Sequence, residues 1–188
     1  MKVLAFGATS SKNSINKALV SYAGKAFSET VNPSAEVEVI DLNDFEMPIY
    51  SIDREMELGI PPQARHFFDK ITDADALIIS YAEHNGLYTA AFKNIFDWAS
   101  RIDMKVYQNK PMIIMSASIG PNGGANVLKN ALEAAPFFGA DIIASMSIGR
   151  FGDNFDSTTG ELSNKALSRQ LVDSLHLLND SLNTGELR

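Results

Sequence analysis

Three stretches of this sequence carry residue types suited to holding a ligand. No stretch carries an obvious set of side chains for acid–base or nucleophilic catalysis. The first stretch is Ala8-Thr9-Ser10-Ser11-Lys12-Asn13-Ser14-Ile15-Asn16, dense in hydroxyls and small residues. It follows Gly7 and runs into a segment with Ile15, Leu19, Tyr22, Ala23, Ala26 and Phe27 on one 3.6-residue stripe, a predicted helix. A Ser-rich loop that opens onto a helix offers free backbone N–H groups, hydroxyl donors and the positive end of a dipole. Those are the needs of a phosphate monoester, and Lys12 adds a point charge. The same residues also fit a plain helix cap at Ser14 behind a polar turn. Neither a GxGxxG fingerprint nor a GxxxxGK[ST] P-loop is present.

The second stretch is Ala82-Glu83-His84-Asn85-Gly86, between the apolar run Ala76-Leu77-Ile78-Ile79-Ser80-Tyr81 and a segment with Phe92, Ile95, Phe96 and Ala99 on one face. It reads as strand, polar loop, helix, with Thr89 as the helix cap. The third is Ser118-Ile119-Gly120-Pro121-Asn122-Gly123-Gly124, where glycines let backbone approach a ligand closely. The acidic residues of 149–160 do not match a calcium loop, so no metal site is expected. The chain has no cysteine, which excludes disulfides, thiol catalysis and thiolate-bound metals. His66 and His176 fall off the apolar stripes of their helices and read as idle.

Apolar runs at 3–6, 76–81, 111–117 and 142–148, with an alternating edge run at 36–40, alternate with amphipathic helices. The helix after Pro61-Pro62 buries Ala64, Phe67, Phe68 and Ile71. A later one buries Val127, Leu128, Ala131, Leu132 and Ala135, and the last buries Leu167, Leu171, Leu175, Leu178 and Leu182. Residues 44–59 read as a long irregular loop, in which Tyr50 either lies beside a substrate or packs the loop down. Residues 149–160 read as a polar loop. This alternation predicts an α/β fold: a doubly wound five-stranded parallel sheet, order 2-1-3-4-5, with helices on both faces. The switch point falls between strands one and three, so all three ligand-like stretches converge on one crevice. At 188 residues one domain, 1–188, is expected. The formal charge of −7 disfavours nucleic acid and anionic membranes. The short apolar run at the N-terminus and the lack of any bilayer-length apolar stretch point to a cytoplasmic protein.

The Ala82-Glu83-His84-Asn85-Gly86 turn followed by Phe92-Lys93-Asn94-Ile95-Phe96-Asp97-Trp98 resembles the P-E-Y-N-G…L-K-N-x-x-D-W signature of the NADPH-dependent FMN reductase family. That family includes quinone, azo-dye and chromate reductases. Gly7 through Ser14-Ile15-Asn16 is similar to its phosphate loop. Pro48-Ile49-Tyr50 and Gly59-Ile60-Pro61-Pro62 resemble the stretch before its second helix, and residues 116–124 its loop after strand four. The resemblance covers about residues 2–148. It departs at three places: the phosphate-loop arginine is absent, and Ala82 and His84 stand where the family has proline and tyrosine.

The resemblance implies a flavodoxin-like, FMN-binding domain. Ser10, Ser14, Ile15 and Asn16 would hold the FMN phosphate. Glu83, His84, Asn85 and Gly86 would line the isoalloxazine, and Ser116, Ser118 and Gly120 would pass under the ring or ribityl chain. Lys93, Asn94, Asp97 and Trp98 are expected to fix their helix against the loop, or to form a subunit contact, rather than to touch flavin. His84 either protonates a reduced acceptor or simply hydrogen-bonds flavin or solvent. NADPH or NADH would be the co-substrate, and a quinone, flavin, azo compound or chromate the small-molecule acceptor, in a ping-pong scheme without a catalytic side chain. A homodimer or homotetramer is expected. The rival is a flavodoxin-type electron-transfer protein without NAD(P)H activity, for which an acidic chain is suited. Asn85→Asp adds a carboxylate beside the expected ring and should weaken FMN binding or lower its reduction potential. Titration and potentiometry check this, and unchanged values would take Asn85 out of the site.

Overall fold

The computed structural model describes residues 1–185; the last three residues of the expected 1–188 domain lie outside the described residues. In chain order the elements are β1 (Lys2–Ala8), α1 (Ile15–Ala26), β2 (Glu36–Ile40), α2 (Ile52–Leu58), α3 (Pro62–Thr72), β3 (Ala76–Tyr81), β4 (Glu83–His84), β5 (Leu87–Tyr88), α4 (Ala90–Ala99), β6 (Lys110–Ala117), α5 (Ala125–Ala134), β7 (Ala140–Ile148), α6 (Phe151–Asn154), β8 (Phe155–Asp156), β9 (Glu161–Leu162) and α7 (Lys165–Gly185). Five strands form one parallel sheet in the spatial order β2-β1-β3-β6-β7. Counted along the sheet strands alone, this is the expected 2-1-3-4-5.

Period-two alternation sends the apolar side chains of each central strand to opposite faces. Leu4, Phe6, Leu77, Ile79, Met112 and Ile114 pack with Phe67, Ile71, Phe92, Ile95 and Val127 from α3, α4 and α5. Val3, Ala5, Ala76, Ile78, Ile113 and Met115 pack with Leu19, Ala23, Leu171 and Leu175 from α1 and α7. Each of the larger side chains among them, from valine up, contributes about 1.5–3 kcal/mol on leaving water. The central strands can be apolar on both faces because both faces are covered.

The strands end in step. Ala8 pairs with Tyr81, Tyr81 with Ser116, and Ala117 with Ile148, so the loops that follow β1, β3 and β6 leave from one line. Gly7 lets α1 begin directly over that line: a Cβ there would lie 2.8 Å from the Lys17 nitrogen. One side chain then ties three of these elements together. Asn16 is buried. Its Nδ2 donates to the Ala117 carbonyl at 3.2 Å, and its Oδ1 accepts from Ala117 N–H at 2.9 Å and from the Ser80 hydroxyl at 2.7 Å.

Several local expectations change. Residues 44–59 are not wholly irregular: Ser51 Oγ accepts from Arg54 N–H and starts α2. The helix was not legible because it buries no residue, leaving no apolar stripe to read. The segment after β3 is a two-residue hairpin, β4 paired antiparallel with β5, rather than an open loop. Asn85 and Gly86 both have positive φ, 54° and 82°, as an Asn-Gly type I′ turn requires. Residues 149–160 hold α6 and begin the β8–β9 hairpin, whose Phe151 and Phe155 are buried. Leu132 lies on the solvent side of α5, since the stripe there is narrower than five positions.

Edge strand β2 carries Glu38 between two lysines: Lys70 bonds one carboxylate oxygen and Lys2 lies 3.0 Å from the other. The hydrogen bond from Lys70 leads in holding the Glu38 carboxyl below its ordinary range. A carboxyl with a lowered folded value stabilises the fold above its unfolded pKa of about 4.3 and loses that contribution as pH falls through the folded value. Denaturant midpoints should therefore drop as pH is lowered below about 4.3, and Glu38→Gln should flatten part of that drop. Asn16→Ala leaves Ala117 N–H and the Ser80 hydroxyl without their buried partner, and should cost about 2–4 kcal/mol in urea unfolding. Asn16→Asp should not restore the loss, because it cannot donate to the Ala117 carbonyl.

Candidate cofactor-binding site

At the carboxyl ends of β1, β3 and β6 the chain encloses a cleft of about 290 Å³. Its walls are Thr9, Ser11 and residues 13–16 on one side, 82–84 on the second and 117–119 on the third. This is where an open α/β sheet presents its loops to ligands. Of the expected residues, Ser14, Ile15, Asn16, Glu83, His84 and Ser118 meet here. Ser10 does not: it lines a neighbouring cavity of about 310 Å³ with Phe45, Met47, Ala90 and Asn94. Asn85 and Gly86 form the hairpin tip, outside the cleft walls. Thr9, Ser11, Asn13, Ala82, Ala117 and Ile119 complete the lining beyond the expected set. Their only sequence signal was position within the three stretches.

The anion-binding features are mostly main chain. Ser14 caps α1: its Oγ accepts from Asn16 N–H at 3.2 Å and Lys17 N–H at 3.4 Å. With both bonds accepted, its own hydrogen is free to donate. The N–H groups of Lys12, Asn13 and Ile15 meet no acceptor among the described residues, while residues 11–14 close a turn through the Ser14 N–H. Three open donors at the positive end of a 12-residue helix suit an anion. Thr9 shapes the loop by accepting Ser11 N–H at 3.1 Å. Lys12 is exposed and has no ion pair among the described residues. Lys17 is bound instead to Asp41, and that bond leads in holding the Asp41 carboxyl below its usual range.

Four expected contacts are largely taken up inside the protein. The buried Asn16 amide serves Ala117 and Ser80, which leaves only one of its two Nδ2 hydrogens uncommitted. Ser116 is fully buried and donates to the Gly123 carbonyl at 2.7 Å. Ser118 donates to the Gly120 carbonyl at 3.0 Å, which folds the loop back on itself. The Glu83 carboxylate accepts from Val127 N–H at 2.9 Å. His84 remains exposed at the lip of the cleft. Thr89 ties the base of the hairpin down: its hydroxyl donates to the Ala8 carbonyl at 2.9 Å while its oxygen caps α4.

The Lys93–Trp98 signature fixes its helix against a loop, but a different one from that at 82–86. Asn94 Nδ2 donates to the carbonyls of Met47 and Pro48, and its Oδ1 accepts Tyr50 N–H at 2.8 Å. Trp98 Nε1 donates to the Pro48 carbonyl at 2.7 Å, and Tyr50 stands edge-on to the indole. Lys93 and Asp97 form an ion pair along α4. Tyr50 thus packs its loop down, with its hydroxyl on Glu55. Behind the hairpin, Tyr81 and Tyr107 share a buried hydroxyl pair at 3.0 Å. Burial pushes both hydroxyls above their usual range and Tyr88 up to about 12, so all three stay neutral at physiological pH. Among the described residues no group of three or more acidic, histidine or cysteine side chains is placed to hold a metal.

Known proteins match this chain in sequence and in fold. The FerB NAD(P)H:acceptor flavoenzyme of Paracoccus denitrificans superposes with a TM-score of 0.75 over 97% of each chain, at 19% identity. A flavodoxin of Pseudomonas aeruginosa superposes at 0.57 over 95% of this chain and 99% of its own, at 13% identity. Those two likenesses establish the flavodoxin-like fold. In sequence, an NAD(P)H-dependent FMN reductase of Pseudomonas aeruginosa is 34% identical over 108 residues, 56% of this chain and 57% of that protein. An NADPH:quinone oxidoreductase of Arabidopsis thaliana is 32% identical over 124 residues, 66% of this chain and 61% of that protein. The chain thus spans about 57% and 61% of the lengths of these relatives. The family model for NADPH-dependent FMN reductases matches residues 1–151, which include the whole cleft, and the chain belongs to that family.

Proposed function

We propose that this protein binds FMN in the cleft at the ends of β1, β3 and β6 and acts as an NAD(P)H-dependent reductase of flavins or quinones. The observation that carries the reading is the set of three open N–H groups, at Lys12, Asn13 and Ile15, beside the free Ser14 hydroxyl hydrogen. That donor set fits the phosphate end of FMN without the family's arginine. Neutral donors and a helix dipole replace a guanidinium fork, with Lys12 as an exposed charge nearby. Residues 82–84 and 117–119 flank the remaining space and suit a flat ring.

Bound FMN supplies the redox chemistry, taking a hydride from NAD(P)H and passing electrons to an acceptor. The residues of this chain bind and orient. Main-chain N–H groups and Ser14 hold the anionic end. Backbone at 82–84 and 117–119 would border the ring, and Ala82 in place of proline leaves the adjoining wall small. The His84 side chain at the lip is placed to hydrogen-bond or protonate a reduced acceptor such as a quinone. One cleft serves both nicotinamide and acceptor, which supports ping-pong kinetics. Quinones, flavins, azo compounds and chromate are the acceptors to compare. For assembly we infer a homodimer or homotetramer through the α4–α5 face. There an aromatic-lined hollow of about 180 Å³, bordered by Phe92, Phe96 and Phe138, adjoins the exposed Phe137.

The purified protein should turn yellow with FMN and bleach under anaerobic NADPH or NADH. A flavin that neither nucleotide reduces would favour the electron carrier, and no FMN binding would end the reading. Ser14→Ala should weaken FMN more than riboflavin, by about tenfold for loss of a hydrogen bond to a charged group. An equal effect on both ligands would remove Ser14 from the phosphate.

A further inference from the structure

We propose that Glu83 is a positioning residue: its carboxylate caps α5 and thereby fixes the Asn85–Gly86 turn at the mouth of the cleft. What that turn touches rests on the flavin reading above; the positioning itself rests on the protein alone.

Helix α5 lacks a cap of its own. Its N-cap residue is Gly124, at φ 73°, and no side chain there accepts from the first turn. The glycine is required. A Cβ at Gly124 would stand 3.1 Å from the Ser116 Cβ, in a left-handed conformation that side chains rarely adopt. The preceding Gly123 is equally constrained. Its carbonyl accepts from Ser116 at 2.7 Å and Ser147 at 3.0 Å, which staples the loop to β6 and β7. A serine or aspartate therefore cannot stand at the N-cap; Ala125 N–H reaches the Asn122 carbonyl at 3.0 Å, and the Val127 N–H needs an acceptor from elsewhere.

Glu83 supplies it from a strand 44 residues earlier. Its Oε2 accepts Val127 N–H at 2.9 Å, and its Oε1 faces Asn126 Nδ2 at 3.5 Å. A carboxylate at this end of the helix also meets the positive end of the dipole. The contact matters as much to the hairpin as to the helix. The hairpin has only two residue pairs, Glu83 with Tyr88 and His84 with Leu87, too few to hold itself. Thr89 anchors it on the far side, to Ala8. Glu83 anchors it on the near side, two residues before Asn85. Between these anchors the turn has one position relative to β6 and its loop.

Amide hydrogen exchange of the flavin-free protein tests the positioning directly. Glu83→Ala should speed exchange at residues 84–88 and in the first turn of α5. Glu83→Gln keeps a carbonyl acceptor for Val127 N–H and should recover most of the protection. Glu83→Asp keeps the charge but loses the reach and should behave like the alanine variant, which covers the case of an alanine variant that does not fold. Unchanged exchange at 84–88, or no recovery with glutamine, overturns the proposal. In titrations Glu83→Ala should raise the Kd of FMN and of riboflavin alike, by about tenfold, since it acts at the ring end. Faster exchange with unchanged affinities would sever the turn from the ligand. If the wild-type protein binds no FMN, the flavin reading fails, while the exchange result still decides whether Glu83 holds the turn.

Discussion

The buried amide of Asn16 is the constraint on which the ligand-binding end of this molecule depends. It joins the first helix to the carboxyl ends of β3 and β6 through three hydrogen bonds in a place closed to water. Such bonds are individually modest, but a buried polar group left without its partner is costly. The geometry of the cleft follows from this arrangement. Helix α1 is close enough to the sheet only because Gly7 has no side chain, and its register along the strands is set by Asn16. The open N–H groups of Lys12, Asn13 and Ile15 are therefore held at a fixed place relative to the 117–119 wall.

The architecture was legible in the sequence because it rests on local pattern. Unbroken apolar runs such as 76–81 mark strands covered on both faces. The spacing of Phe92, Ile95, Phe96 and Ala99 marks a helix with one buried side. The convergence of the three stretches on one cleft was legible for the same reason, since each follows a strand. Individual roles within it were less so. Asn16 reads as a phosphate ligand until Ala117, 101 residues later, is found against it. Ser116 and Glu83 read as cofactor contacts until Gly123 and Val127 are seen to take their polar atoms. Ser10 sits among serines but faces a different hollow. A polar side chain in a loop gives no sign in sequence of whether its partner is a ligand or distant backbone.

A division of labour emerges. Side chains that look like ligand contacts build the frame, while main-chain N–H groups are left open toward the cleft. This accounts for how a chain of net charge −7 offers an anion site without an arginine: backbone dipoles carry no formal charge and do not enter that balance. It also accounts for the density of serine, threonine and asparagine around the cleft. Short polar side chains bridge backbone to backbone over small gaps, as Thr89, Ser116 and Ser118 do here.

Helix α2 shows the opposite economy. It buries no side chain, and Ile52, Met56 and Leu58 already stand in water. Melting this one segment would wet almost no new hydrocarbon, so hydrophobic burial gives little resistance to its opening. What retains it is polar: the Ser51 cap and the clasp of Glu55 by Tyr50 and Arg101. The neighbouring stretch at 47–50, pinned by Asn94 and Trp98, stays in place whether or not the helix forms. The molecule thus combines a rigid sheet with one detachable turn-and-helix, whose fluctuations need not propagate into either core.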